Sequence, residues 1–212
     1  TIALNNRPAV VTTGTGLLKS ANIDFGSSAT VFVVARMRST PNGRVLSSPG
    51  NNWLLGWWGG LEDQAYYEGW LSNPGTAATT NARLYTAVTD GSNKSVYRNG
   101  TLLTPTAGGG TATPRGISVG GWNTSEYSNA AVSEVIVYSR ALSATERASV
   151  EQYLTTKWLD APTNPVPTTT STTTATTIPA TTTTIPAGAS CPTITGWKGE
   201  YFLGTALTGP TQ

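Results

Sequence analysis

Glu62, Asp63 and Glu68 are the clustered carboxylates of this sequence, and the chemistry such a cluster could perform is hydrolysis of a glycosidic bond. That reaction needs two carboxyl groups facing each other across the scissile bond. Glu62-Asp63-Gln64 reads against it, because neighbouring residues on a strand point to opposite faces. The pattern favours solvated charges, or a calcium contact through Asp63 and Glu68, although calcium needs a denser set of oxygen ligands than this stretch offers. Histidine is absent, which removes the usual general base and the commonest zinc ligand. No catalytic residue is assigned, no cofactor beyond that calcium is called for, and the chain is expected not to be an enzyme.

The same stretch, Asn51 to Trp70, is crowded with large rings: Trp53, Trp57, Trp58, Tyr66, Tyr67 and Trp70. These are too many for one small core, and an exposed ring is a platform for the C–H face of a sugar. About half should fill the core, and the sequence alone does not say which half. Trp122, with Tyr127 five residues on, is a second candidate in a loop. Charge is sparse, at 11% Asp, Glu, Lys and Arg with a formal net charge of +2, and it forms no basic stripe. Nucleic acid is therefore not an expected partner. No apolar run reaches the length of a membrane span, so membrane insertion is not expected either.

Short strands with turns between them must position these residues. A strong strand is predicted from Thr30 to Met37, further strands at Arg44–Ser47, Arg83–Thr89, Ser95–Arg98, Thr101–Thr104 and Gly116–Gly121, and a last strand from Val132 to Tyr138. Asn99-Gly100 is a two-residue hairpin signal, since both residues tolerate positive φ. Val132 to Tyr138 has apolar residues on both faces, as in a strand covered on both sides. The period then changes. Ser143 and Glu146 form a capping box, and Val150, Tyr153, Leu154 and Trp158 line one face of a helix ending near Asp160, while Glu146, Arg147, Glu151 and Lys157 should face water. The fold class is all-β, a two-layer sandwich with one C-terminal helix.

The succession E-V-I-V-Y (Glu134–Tyr138), R-A-L-S (Arg140–Ser143) and Y-L-x-x-K-W (Tyr153–Trp158) resembles the closing segment of bacterial laminin-G-like domains of the concanavalin A-like lectin/glucanase superfamily. The phrase NNRPAV from Asn5 to Val10, followed by TVFVVARM, is similar to the same family. The resemblance implies a jelly-roll sandwich over residues 1–160 with the helix packed at its end. Glucanases of that superfamily carry E-x-D-x-E or E-x-D-x-x-E on one strand, which residues 62–64 do not match. Family members carry further strand-forming sequence before NNRPAV, so either the fold is trimmed at its N-terminus or another segment must fill that gap.

Composition breaks at Ala161. Residues 161–190 are almost entirely Thr, Pro, Ala and Ser, a linker too poor in apolar surface to fold. Its O-glycan acceptors would be Thr168, Thr169, Thr170, Thr172, Thr173, Thr174, Thr181, Thr182 and Thr183. Such stalks join modules of exported proteins, so a secreted, cell-surface location is expected. Residues 191–212 contain GWKGEYF, which resembles the first strand of a PA14 domain and is too short to fold alone. Cys191 has no partner within the chain, and the sequons at Asn93, Asn99 and Asn123 read as incidental. The expected function is a non-catalytic extracellular module that binds glycan or a surface protein within a larger secreted protein. The alternative is a fibre or surface-layer subunit that binds copies of itself, with Trp197, Glu200, Tyr201 and Phe202 supplying a strand to the next subunit.

Overall fold

The computed structural model describes residues 3–72, 75–103 and 109–160. In chain order these residues form β1 (Ala3–Leu4), β2 (Arg7–Pro8), β3 (Val10–Thr13), β4 (Leu18–Lys19), β5 (Ser28–Asn42), β6 (Leu46–Ser47), β7 (Trp53–Trp58) and β8 (Leu61–Tyr67). There follow β9 (Trp70–Ser72), β10 (Thr76–Ala77), β11 (Arg83–Asp90), β12 (Asn93–Arg98), β13 (Thr101–Leu102), β14 (Ser118–Val119), β15 (Ser128–Tyr138) and α1 (Ala144–Trp158). The linker with its threonines, Cys191 and the segment from Trp197 to Phe202 lie outside the described residues.

Two antiparallel sheets are sandwiched. The first runs β13-β12-β11-β5-β15-β3, and the second runs β10-β8-β7-β6-β14-β4, with β9 also paired to β8. Side chains alternate along each strand, so Val31, Val33, Ala35 and Met37 of β5 meet Trp53, Leu55 and Trp57 of β7 in the core between the sheets. The other face of β5 carries Phe32 and Val34, which pack with Leu84 and Tyr138 against Val150, Leu154 and Trp158 of α1. The central strand is therefore covered twice, which is why its sequence is a continuous apolar run. Burying a side chain such as Leu154, at 0% exposure, contributes roughly 1.5–3 kcal/mol.

The helix begins as its sequence predicts. Ser143 accepts from the Glu146 N–H while the Glu146 carboxylate accepts from the Ser143 N–H, and both halves of the capping box are present. Two of its residues depart from expectation. Tyr153 is 49% exposed, and Glu151 is buried at 6%, because Thr86 of β11 donates to its Oε1 at 2.8 Å and Arg147 pairs with its Oε2. A carboxylate that reaches a hydroxyl and a guanidinium at the sheet can afford burial.

The last strand starts earlier than its apolar run, at Ser128, and contains a register shift between Val132 and Glu134. One extra residue there flips the alternation. Ala130 and Val132 before it, and Val135 and Val137 after it, face the sandwich core, whereas Ile136 and Tyr138 face the helix. The Asn99-Gly100 hairpin forms as predicted, with φ of 49° and 78°. Gly116–Gly121 contributes only the two-residue β14. No helix among the described residues is long and apolar enough to cross a membrane.

Candidate functional site on the outward face of the second sheet

Alternation on β7 and β8 sorts the aromatic block. Trp53, Trp57 and Tyr67 point between the sheets, at 1%, 1% and 0% exposure, and so are withdrawn as ligand contacts. Trp53 stacks on Tyr67 with ring centres 5.3 Å apart, and Trp57 meets Tyr85 edge-on at 4.8 Å. Trp58, Tyr66 and Trp70 stand on the opposite, outward face and remain half-buried. There Trp70 contacts Trp58 at 5.2 Å and Tyr66 at 5.1 Å. Leu54 and Gln64 share this outward face by register, yet are buried at 1% and 0%. The three rings shield one side of that face, and the loop from Gly120 to Ser128 lies over the other, where Ser47 donates to the Gly121 carbonyl at 2.6 Å.

The hub between rings and loop is Arg44, a residue that sequence reasoning did not single out. Its guanidinium pairs with Glu126, donates to Asn52 Oδ1 at 2.8 Å, and lies over the Trp122 ring at 4.3 Å. Burial lowers its pKa from the ordinary arginine value, and the hydrogen bond and charge of Glu126 oppose that shift. Glu126 also accepts from Trp58 Nε1 at 3.2 Å, tying the loop to the aromatic cluster. The loop reaches Arg44 because Gly43 has no side chain: a Cβ there would sit 2.0 Å from the Glu126 carbonyl oxygen. Trp122 is thus a half-buried wall that holds Arg44, and Tyr127, also half-buried, accepts from the Gly43 N–H through its backbone carbonyl. Arg44 and Glu126 lie 82 residues apart, so no local signal announces the pair.

The carboxylates behave differently from their sequence reading. Asp63 is an extra residue opposite Gly56 and Trp57, with φ of 65°, so the alternation that should separate it from Glu62 is broken. Both side chains converge on Arg98: Asp63 pairs with it, and Glu62 lies 3.7 Å from it while also accepting from Arg83 at 3.0 Å. Both are buried, Glu62 at 2% and Asp63 at 5%, and not solvated. Tyr85 donates to Asp63 Oδ1 at 2.7 Å, and burial followed by the hydrogen bond and charge of Asp63 pushes the Tyr85 phenol far above its ordinary value. The calcium reading is corrected as well. Both Asp63 oxygens are engaged, Glu68 instead accepts from the Asn52 N–H at 2.9 Å, and no group of three His, Cys, Asp or Glu able to hold a metal occurs among the described residues.

Beside the aromatic cluster lies a polar cleft of about 730 Å³. Asp24, Ser27, Asn51, Glu68, Thr111 and Arg115 are among its lining. Its walls are fastened together: Asn51 Nδ2 donates to the Thr113 carbonyl at 3.0 Å, the Arg115 N–H to Ser48 Oγ at 2.8 Å, and Thr113 Oγ1 to the Gly26 carbonyl at 2.6 Å. Asp24 and Arg115 were not anticipated, because each is an isolated charge in its own loop.

No protein-family model matches the sequence, and no curated protein sequence matches it. The structure is similar to Trypanosoma rangeli sialidase in complex with sialic acid, at 15% identity and a TM-score of 0.51 over 73% of this chain and 29% of the sialidase. It is also similar to Domain 4 of AbnA, a GH43 extracellular arabinanase from Geobacillus stearothermophilus, in complex with arabinotriose, at 15% identity and a TM-score of 0.50 over 68% of this chain and 76% of that one. The chain spans less than a third of the sialidase's length. At such identities the likeness concerns the fold, an all-β, concanavalin A-like jelly-roll sandwich. It corrects the expectation that the chain is not an enzyme. The similar structures belong to enzymes, and the geometric ground for that exclusion, carboxylates on opposite faces, is removed by the bulge at Asp63.

Proposed function

We propose that this chain is a glycan- or surface-binding module of a larger secreted bacterial protein, and that it engages its ligand through the outward face of the second sheet. The observation that carries the reading is the cluster of Trp58, Tyr66 and Trp70, in which Trp70 contacts the other two rings and all three are half-buried on the outward face of the sheet. Large apolar rings with polar edges suit the alternating C–H and O–H surfaces of a sugar. A sandwich of similar fold, the arabinanase Domain 4, was solved in complex with arabinotriose, which is in keeping with this use of the fold. The finer assignment is a laminin-G-like domain over residues 1–160, a Thr/Pro linker over 161–190 of the kind that joins modules of exported proteins, and the start of a PA14-like module at 191–212. The experiment is calorimetric titration with a panel of oligosaccharides that includes arabinotriose, on this chain and on its Trp70→Ala and Trp58→Ala variants. Binding that both substitutions weaken is expected; a panel without binding, or binding that ignores both, sinks the reading.

A second reading is assembly of copies by strand addition, and one feature of β15 favours it. On the side away from β5, β3 pairs only with Asn129 to Val132, and no strand is paired there with Glu134 to Tyr138 among the described residues. Val135, Ile136 and Val137 are apolar on both faces yet only half-buried. An apolar edge of this kind accepts an added strand. The segment holding Trp197, Glu200, Tyr201 and Phe202 of a neighbouring copy would serve. Light scattering of the chain with and without residues 191–212 distinguishes the readings: concentration-dependent growth lost on truncation supports assembly, and a monomer in both rejects it.

A further inference from the structure

The polar cleft adjoins the aromatic cluster, and the two share a border. Glu68 lines the cleft and sits at positive φ in the turn between β8 and β9, two residues from both Tyr66 and Trp70. Asn51 lines the cleft while its neighbour Asn52 donates its N–H to Glu68 and accepts from Arg44. Arg44 in turn holds Glu126 against Trp58. A continuous polar seam thus runs from the rings to the cleft.

The two halves offer complementary chemistry. The rings offer apolar surface and few free polar groups. Among the described residues the cleft has no aromatic ring in its lining, but it presents carboxylates at Asp24 and Glu68, hydroxyls at Ser27 and Thr111, and the Arg115 guanidinium, all five residues exposed. Asp24 and Glu68 each have one oxygen held by a backbone N–H, of Gly26 and Asn52 respectively, so their orientation is preset. Donors beside acceptors on a fixed frame suit a ligand with many hydroxyl groups, each of which both donates and accepts.

Charge selects among such ligands. Among the described residues of the cleft, two carboxylates face one guanidinium, and on the ring side the Arg44 cation is already engaged by Glu126, Asn52 and Trp122. An acidic sugar would meet Asp24, Glu68 and Glu126 with Arg115 as its main attraction.

We propose that the cleft is a second subsite continuous with the aromatic cluster, and that the ligand is an uncharged linear oligosaccharide long enough to cross Glu68 from one to the other. This rests on the glycan-binding reading above. A chain held at both ends gains affinity with length until the cleft is filled, whereas a sugar held by the rings alone does not.

The test is titration of the full chain with length ladders of neutral arabinan-, xylan- and glucan-derived oligosaccharides, with oligogalacturonides as the acidic counterpart. The expected result is affinity that climbs on the order of tenfold along a neutral ladder. Arg115→Ala should bring the long members down to the affinity of the short ones. Thr111→Trp, at an exposed position in the cleft wall, should do the same by filling the space, and Trp70→Ala should weaken every member. Binding without length dependence, or length dependence that survives both cleft variants, overturns the second subsite and leaves the ring reading standing. Tighter binding of oligogalacturonides overturns the uncharged ligand. If no ladder binds, both readings fall together.

Discussion

Tyr85 on β11 donates its hydroxyl to Asp63 Oδ1 on β8 at 2.7 Å and accepts the Asp63 backbone N–H at 3.0 Å, so one side chain closes two hydrogen bonds across the sandwich. This contact exists because Asp63 is a bulge residue at positive φ and because Gly56, opposite, leaves room. A Cβ on Gly56, whose φ is 98°, would lie 2.8 Å from Tyr85 Cδ2. Arg98 completes the cluster at the rim, with a side-chain exposure of 36%.

Tyr85→Phe should lower stability by about 1–3 kcal/mol, the cost of leaving a buried acceptor and a buried N–H without their partner. Gly56→Ala should also destabilise, by on the order of 1–3 kcal/mol, through strain at positive φ and contact with the ring. Urea midpoints measure both, and an unchanged midpoint for Tyr85→Phe would show that water replaces the hydroxyl at no cost.

Trp53→Ala and Trp58→Ala should fail differently, although both residues lie on β7. Trp53 is stacked in the core, so its loss should cost about 3–5 kcal/mol. Trp58 is half-buried on the outward face and outside the core, so its loss should leave the fold largely intact and reduce oligosaccharide binding. Thermal melting alongside titration separates the two effects, and a Trp58→Ala variant that melts like Trp53→Ala would argue that the outward rings are structural.

Arg44→Ala should destabilise by about 2 kcal/mol or more, and Arg44→Lys should rescue little, because the planar fork serves Glu126 and Asn52 at once and lies over Trp122. A fully buried pair loses roughly 3–5 kcal/mol when broken, and the figure is discounted here because Glu126 is 31% exposed. Trp fluorescence should report loosening of the 120–128 loop in the same variant.

The helix start should respond to acid. Hydrogen bonds from Arg140, then from the Ser143 backbone and hydroxyl, lower the Glu146 carboxyl from 4.5 to about 2. Its folded value lies below its unfolded one, so the stabilisation is complete above about 4.5 and is lost as pH falls toward 2. An NMR titration of the Glu146 carboxyl should show the low midpoint, and Arg140→Ala or Ser143→Ala should raise it. A wild-type midpoint near 4.5 would mean that neither partner holds the carboxylate in solution.

The all-β class, the position of the helix, its capping box and the Asn99-Gly100 hairpin follow from the sequence by itself, because each depends on residues within a few positions of one another. Local chemistry sets the period of apolar residues, the cap and the tolerance for positive φ, and these survive whatever the distant chain does. The site was decided by tertiary structure. Which rings of the aromatic block face outward depends on register against β8, and one inserted residue, Asp63, reverses the expected separation of Glu62 and Asp63. Arg44 acquires its role from Glu126, and the cleft draws Asp24, Glu68 and Arg115 from three separate loops. Glu151 turns inward only because Thr86 waits for it on another element. Burial and pairing across such separations are properties of the packed sheets, and no window of sequence contains them.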